Sequence, residues 1–185
     1  MRSMDDQTDP DPARQDALRI AVIDIERHVA RAGWDGPTAV FALVRTADAL
    51  ARTPELAGQL PPDALGLART DPNHLTSIEQ EGLPEAAYLE QLLAQLAWPE
   101  AVDGAAVVVE RIVVPPEAAA DAETMSIEEL MAHPQRQDVR IAAGVLRTGE
   151  SWCALRTRAH DSDDDVAGAP DAVPGLVEAL TATLA

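Results

Sequence analysis

Apolar residues recur every three or four positions through Leu18, Ala21, Val22, Ile25 and Val29, the spacing of one helical face. Asp11-Pro12 in front supplies a cap and a first-turn proline, and Gly33 behind supplies a terminating residue that tolerates left-handed backbone. These signals predict a helix of about twenty residues. Two further stripes follow. Leu89, Leu92, Leu93 and Leu96 predict a helix that starts at Pro84 and is stopped by Pro99, and Val173, Leu176, Val177, Leu180 and Leu184 predict a last helix from about Ala172. Shorter helices are expected from Thr46 to Arg52 and, behind the Ser126-Ile-Glu-Glu capping box, as far as Ala132. Strands are expected at 39–44, 75–79, 105–114, 138–146 and 150–159. The 105–114 run, AAVVVERIVV, is apolar on both faces and therefore reads as central. From 55 to 73 three prolines and two glycines leave no clear period.

Consecutive late strands and amphipathic helices predict an α+β domain over 11–185. Its sheet is expected to be mainly antiparallel, with four to five strands and helices on one face. Residues 1–10, acidic and aperiodic, read as a disordered lead-in.

The hairpin at Gly149 permits a sharper statement. A two-residue loop would place Val139, Ile141, Ala143 and Val145 on the same face as Arg156 and Arg158, and a slip of one residue turns every side chain over. A three-residue loop, 147–149, with Gly149 left-handed, pairs Val145 with Ser151, Ala143 with Cys153, Ile141 with Leu155 and Val139 with Thr157. One face is then wholly apolar. The other carries Gly144 opposite Trp152, Arg140 opposite Arg156 and Asp138 opposite Arg158. Like charges directly across a ladder repel, so something acidic is expected over the arginines. It is either the chain's own Asp161, Asp163, Asp164 and Asp165 folding back, or a carboxylate or phosphate on a partner, which arginine grips bidentately. On the second reading Arg140, Arg156, Arg158 and Trp152 form a partner- or anion-binding surface.

Composition narrows the function. The 185 residues carry 14 basic groups, all arginine, against 32 acidic ones, a net charge of −18. That charge argues against nucleic acid and anionic lipid as partners. No run of eighteen apolar residues suggests a membrane span, and the acidic start does not resemble a secretory signal. The lone Cys153 fits a reducing cytoplasm. It also points into the apolar sheet face, where a thiol is a poor nucleophile.

Dense oxygen ligands occur at His160-Asp-Ser-Asp-Asp-Asp, where Asp161, Asp163 and Asp165 are the candidate ligands for a hard divalent cation. The EF-hand pattern fails there, since Val166 and Ala172 stand where glycine and glutamate are required. His28, His74, His133 and His160 are scattered, and no zinc, nucleotide-loop or serine-hydrolase motif is present. No cofactor is implied. Trp34, in a turn, and Trp98, before Pro99, are either interface anchors or plugs between helices and sheet.

Trp34-Asp-Gly-Pro before Phe41-Ala-Leu-Val, then Ala97-Trp-Pro, Val109-Glu-Arg, His133-Pro, Asp138-Val-Arg, Ala143-Gly-Val-Leu-Arg, Cys153-Ala-Leu-Arg, His160-Asp and Pro174-Gly-Leu occur in this order. The ordered set resembles a family of uncharacterised actinobacterial proteins. The resemblance implies a bacterial cytoplasmic protein and no particular activity. The function expected from the residues is a non-enzymatic protein-binding or regulatory module whose partner is another protein or a second copy. The alternative is a divalent-metal-dependent enzyme using the 160–165 loop.

Overall fold

The computed structural model describes residues 9–115, 117 and 124–185. Most of the 1–10 lead-in lies outside the described residues. The first helix, α1 (Pro12–Ala30), begins where Asp11 accepts the Ala13 N–H at 2.8 Å and Pro12 takes the first turn. It ends just before Gly33, whose φ of 88° turns the chain toward β1 (Ala39–Arg45). Then follow α2 (Thr46–Arg52), α3 (Pro62–Thr70), β2 (Leu75–Glu79), α4 (Leu89–Leu93) and β3 (Gly104–Val113). The chain closes with α5 (Ile127–Ala132), β4 (Gln137–Leu146), β5 (Ser151–Thr157), β6 (Ala167–Ala169) and α6 (Pro174–Ala182).

All neighbours in the sheet are antiparallel, in the order β2-β1-β3-β4-β5-β6. The α+β class and antiparallel sheet match expectation, but six strands replace four to five. The added strand, β6, has three small residues, too short to show a period of two. The helices also cover both faces, not one. On one face Val107, Val109, Ile141 and Ala143 pack with Leu92 and Leu93 of α4 and Leu176 and Leu180 of α6. On the other, Ala106, Val108 and Ala142 pack with Leu18, Val22 and Ile25 of α1. The cause is in β3 itself, which is apolar at both parities, so each side needs a cover. Each fully buried Leu, Val or Ile in these layers contributes roughly 1.5–3 kcal/mol.

Two helices differ from expectation. The Pro84 helix is confined to Leu89–Leu93, because its stripe extended backwards falls on Glu85 and on Tyr88, which is exposed. With no apolar face to bury, one more turn gains nothing. Conversely α3 forms with Ala68 its one buried residue and a proline at its start, a signal too faint to read among prolines and glycines. The capping box at α5 is present, with Ser126 and Glu129 bonding reciprocally.

The hairpin register is as derived, Val145 against Ser151 down to Val139 against Thr157, with Arg140 opposite Arg156. Gly149 adopts φ 104°. One detail is corrected. Gly144 pairs with Trp152 across the ladder, but what lies over the glycine is α1: an added Cβ would sit 2.5 Å from Val22 Cγ2 and 3.2 Å from Leu18 Cδ1. The glycine that the Trp152 ring covers is Gly168 of β6, where an added Cβ would meet Cζ2 at 2.8 Å.

Gly144→Ala therefore pushes α1 off the sheet. Overpacking of this kind costs about 1–3 kcal/mol, read as a lower urea midpoint with unchanged slope. An unchanged midpoint would show that the α1 contact is looser than the geometry states.

Candidate functional site

The arginine face resolves into an internal ion network. Glu26 sits four residues beyond Val22 on α1, hence on its buried side, and is itself fully buried. Its two carboxylate oxygens accept from Arg156 Nε at 2.7 Å and Nη2 at 2.9 Å, the bidentate geometry that suits guanidinium. Its Oε1 also lies 3.7 Å from Nη1 of the buried Arg140. Arg156 donates further to Asp161 at 3.2 Å and Asp163 at 2.6 Å. Arg140 donates through Nη2, to Glu110 at 2.9 Å and to the Gly33 carbonyl. Glu110 is directly opposite it on β3.

The Trp34-Asp35-Gly36-Pro37 turn closes over this layer. Arg140 lies 4.4 Å and Arg158 5.5 Å from the centre of the Trp34 ring, within cation–π range. The indole N–H donates to Asp161 at 3.0 Å. Asp35, left-handed at φ 67°, accepts from Arg158 at 2.9 and 3.1 Å while its own N–H donates to Glu110 at 2.7 Å. Arg158 also reaches Asp138 at 3.3 Å.

These contacts show where the residues of the expected binding surface lie. Arg140 and Arg156 are buried and held by the protein's own carboxylates, Arg158 is paired, and Trp152 is half-buried against Gly168. Three guanidinium groups face six carboxylates, Glu26, Asp35, Glu110, Asp138, Asp161 and Asp163. The face therefore has no positive excess to offer an anion. Of the expected metal ligands, Asp161 and Asp163 are engaged by Arg156, and among the described residues no three His, Cys, Asp or Glu gather as ligands. Trp98 is a plug, donating to Thr183 Oγ1 at 2.9 Å beside α6. Burial pushes the Cys153 thiol pKa up.

Sequence reasoning passed over Glu26 and Glu110. Glu26 was findable, since it occupies the Leu18 and Val22 row of an apolar stripe. Glu110 was not, because its role depends on β3 lying beside β4.

A second set of residues, also passed over, is open to solvent. Arg111 follows Val109 on the α4/α6 face, beyond the helices' cover, and among the described residues its guanidinium makes no ion pair or hydrogen bond. It borders three clefts. One, of about 490 Å³, lies against Leu83, Tyr88 and Leu92. A second, of about 280 Å³, lies against Trp34, Ile112 and Met131. The third, of about 290 Å³, lies over Val109 and Ile141 between Leu89, Leu93 and Leu176. Tyr88 is 72% exposed, Met131 53% and Ile127, one turn before Met131, 76%. Val113, two residues beyond Arg111 on the same side of β3, is exposed as well. A legible signal existed in α5, where an apolar i, i+4 pair belongs to a helix that buries nothing.

Two outcomes follow from the ion network. Glu26→Gln leaves two buried guanidinium groups short of their shared counter-charge, and loss of one member of a buried pair costs about 3–5 kcal/mol. Chemical denaturation measures it, and a loss below about 1 kcal/mol would show the pair to be solvated. Asp161 and Asp163 titrate below their ordinary value, Asp161 through the Trp34 N–H and then Arg156, Asp163 through Arg156. A lowered folded-state pKa contributes stability that is complete above the unfolded value of about 3.9 and lost as pH falls through the folded one. The Asp161→Asn, Asp163→Asn double variant is therefore less stable at neutral pH, and its denaturation midpoint falls less steeply on acidification than the parent's. Parallel curves would remove these carboxylates from the acid response.

No helix of the described residues is long and apolar enough to cross a membrane. No curated protein and no solved structure matches the chain. The profile of the PPA1309-like protein family matches residues 18–185, from the first turns of α1 to the last residue. The span takes in both layers of the core, the ion network and the Arg111 clefts, and the chain belongs to the PPA1309-like family.

Proposed function

We propose that this chain is a protein-binding or regulatory module of the bacterial cytoplasm that acts by contact and not by catalysis, and that it docks its partner on the surface around Arg111. The observation that carries the reading is Arg111 itself, a guanidinium unpaired among the described residues that borders three clefts, one lined by exposed Tyr88 and another by exposed Met131. Tyrosine, methionine and arginine are enriched at interfaces, and tyrosine and arginine among the few side chains that dominate their energy. Among the other exposed large apolar residues, Ile20, Leu67 and Ile78 sit on α1, α3 and β2. They show no such grouping, and scattered residues of that kind need no explanation. A net charge of −18 supports a protein partner over a nucleic acid. A single cysteine, buried and unpaired, supports a reducing compartment.

Photo-crosslinking in the cell that makes the protein tests this reading. Benzoylphenylalanine in place of Tyr88 is expected to give adducts to a second polypeptide, and the same group in place of Ile20 on α1 is not. Arg111→Ala should reduce the Tyr88 adduct severalfold, as truncation of an arginine hot spot does at an interface. Equal yields from the two positions would overturn the reading.

A further inference from the structure

We infer that the occupant of the Arg111 surface is a second copy of this chain, related by a two-fold axis; this rests on the binding role proposed above and names its partner. Among the described residues the Glu90 carboxylate, like the Arg111 guanidinium, makes no ion pair or hydrogen bond, and Glu90 borders two of the three Arg111 clefts. A free cation and a free anion therefore stand beside the same apolar ground without meeting each other. An acidic partner would satisfy Arg111 and repel Glu90, and a basic partner would do the reverse. A surface presented to its own copy satisfies both, because in an isologous contact residue i meets j and j meets i. Arg111 of each protomer then pairs with Glu90 of the other, while Leu83, Tyr88 and Leu89, which line the clefts that Arg111 and Glu90 border, form the apolar ground between them. An apolar centre with charges at the margin is the usual anatomy of a homodimer contact.

The chain's overall charge sharpens the inference. Two copies at −18 each repel at long range, so the contact must be apolar at its middle and the repulsion must be screened. The screening length is about 8 Å at physiological ionic strength and about 30 Å at 0.01 M. A dimer held in this way tightens as salt is added, the opposite of one held mainly by attraction between unlike charges.

Sedimentation equilibrium of the full chain over a concentration series, at low and at moderate salt, tests it. Expected is a monomer–dimer equilibrium that shifts toward dimer with salt. Arg111→Glu and Glu90→Arg should each weaken it roughly tenfold or more, through like charges brought together. The double variant R111E/E90R should regain most of the loss. Both positions are exposed, and an unchanged circular-dichroism spectrum confirms that each variant is folded. A monomer at every concentration overturns the inference, and so does a dimer that R111E leaves intact. If the chain is monomeric yet Tyr88 crosslinks to a different polypeptide, the binding role stands and only the second copy is excluded. If Tyr88 yields no more adduct than Ile20, both fail.

Discussion

A buried carboxylate held between two buried arginines is the constraint on which the α1 side of this sheet depends. Glu26 cannot remain charged and fully buried without Arg156 and Arg140, and they cannot remain buried without it. Moving any one of them alone into a protein interior costs several kcal/mol. Bringing them together requires α1 to lie across β4 and β5 at one rotation and one height, because a shift of one residue on the helix carries Glu26 round to another face. The ion layer thus sets position while the apolar contacts of Leu18, Val22 and Ile25 supply most of the burial energy. Gly144 completes the arrangement by letting the helix approach the sheet closely.

The same layer explains the turn that follows α1. Gly33 gives its carbonyl to Arg140, Trp34 lies over the guanidinium, and Asp35 accepts an unfavourable left-handed backbone in exchange for Arg158 and Glu110. A non-glycine residue at positive φ is uncommon, though aspartate is among those that tolerate it best. Here several contacts over-determine it. The turn is a cover whose form is dictated from beneath, so the Trp-Asp-Gly-Pro run belongs to the architecture of the arginines.

What could be read from the residues, and what could not, divides along the range of each signal. The β4–β5 register was legible because one parity alone separates Val139, Ile141 and Val145 from Arg140 and Arg156, and the turn at Gly149 lies within the same stretch. That the arginines needed acid was legible for the same reason. Which acid was not: Asp161 and Asp163 are close in sequence, but the deepest partner, Glu26, lies 130 residues away. Its presence on an apolar stripe was a local clue whose meaning depended on where α1 packs. The cover on both faces was implicit in β3 and is plain once α1 and α6 are seen to meet opposite parities. Arg111 was the least legible of all. Nothing in Val-Glu-Arg-Ile-Val marks it, and its exposure follows from where α4 and α6 end above the sheet.

That contrast between two neighbours on β3 is informative. Glu110 and Arg111 differ by one position and so face opposite sides. Glu110 turns toward α1, where three arginines lie close together, and is taken up by Arg140 and the Asp35 amide. Arg111 turns toward the α4/α6 side, in a chain whose acids outnumber its bases by more than two to one. About half of the described arginines pair with a carboxylate, as Arg14, Arg19, Arg45 and Arg158 do. Arg111 borders the same clefts as Glu90, one carried on a strand and the other on a short helix, and no ion pair joins them. On such a surface a partner that offers the complementary pair gains an attraction the monomer does not use.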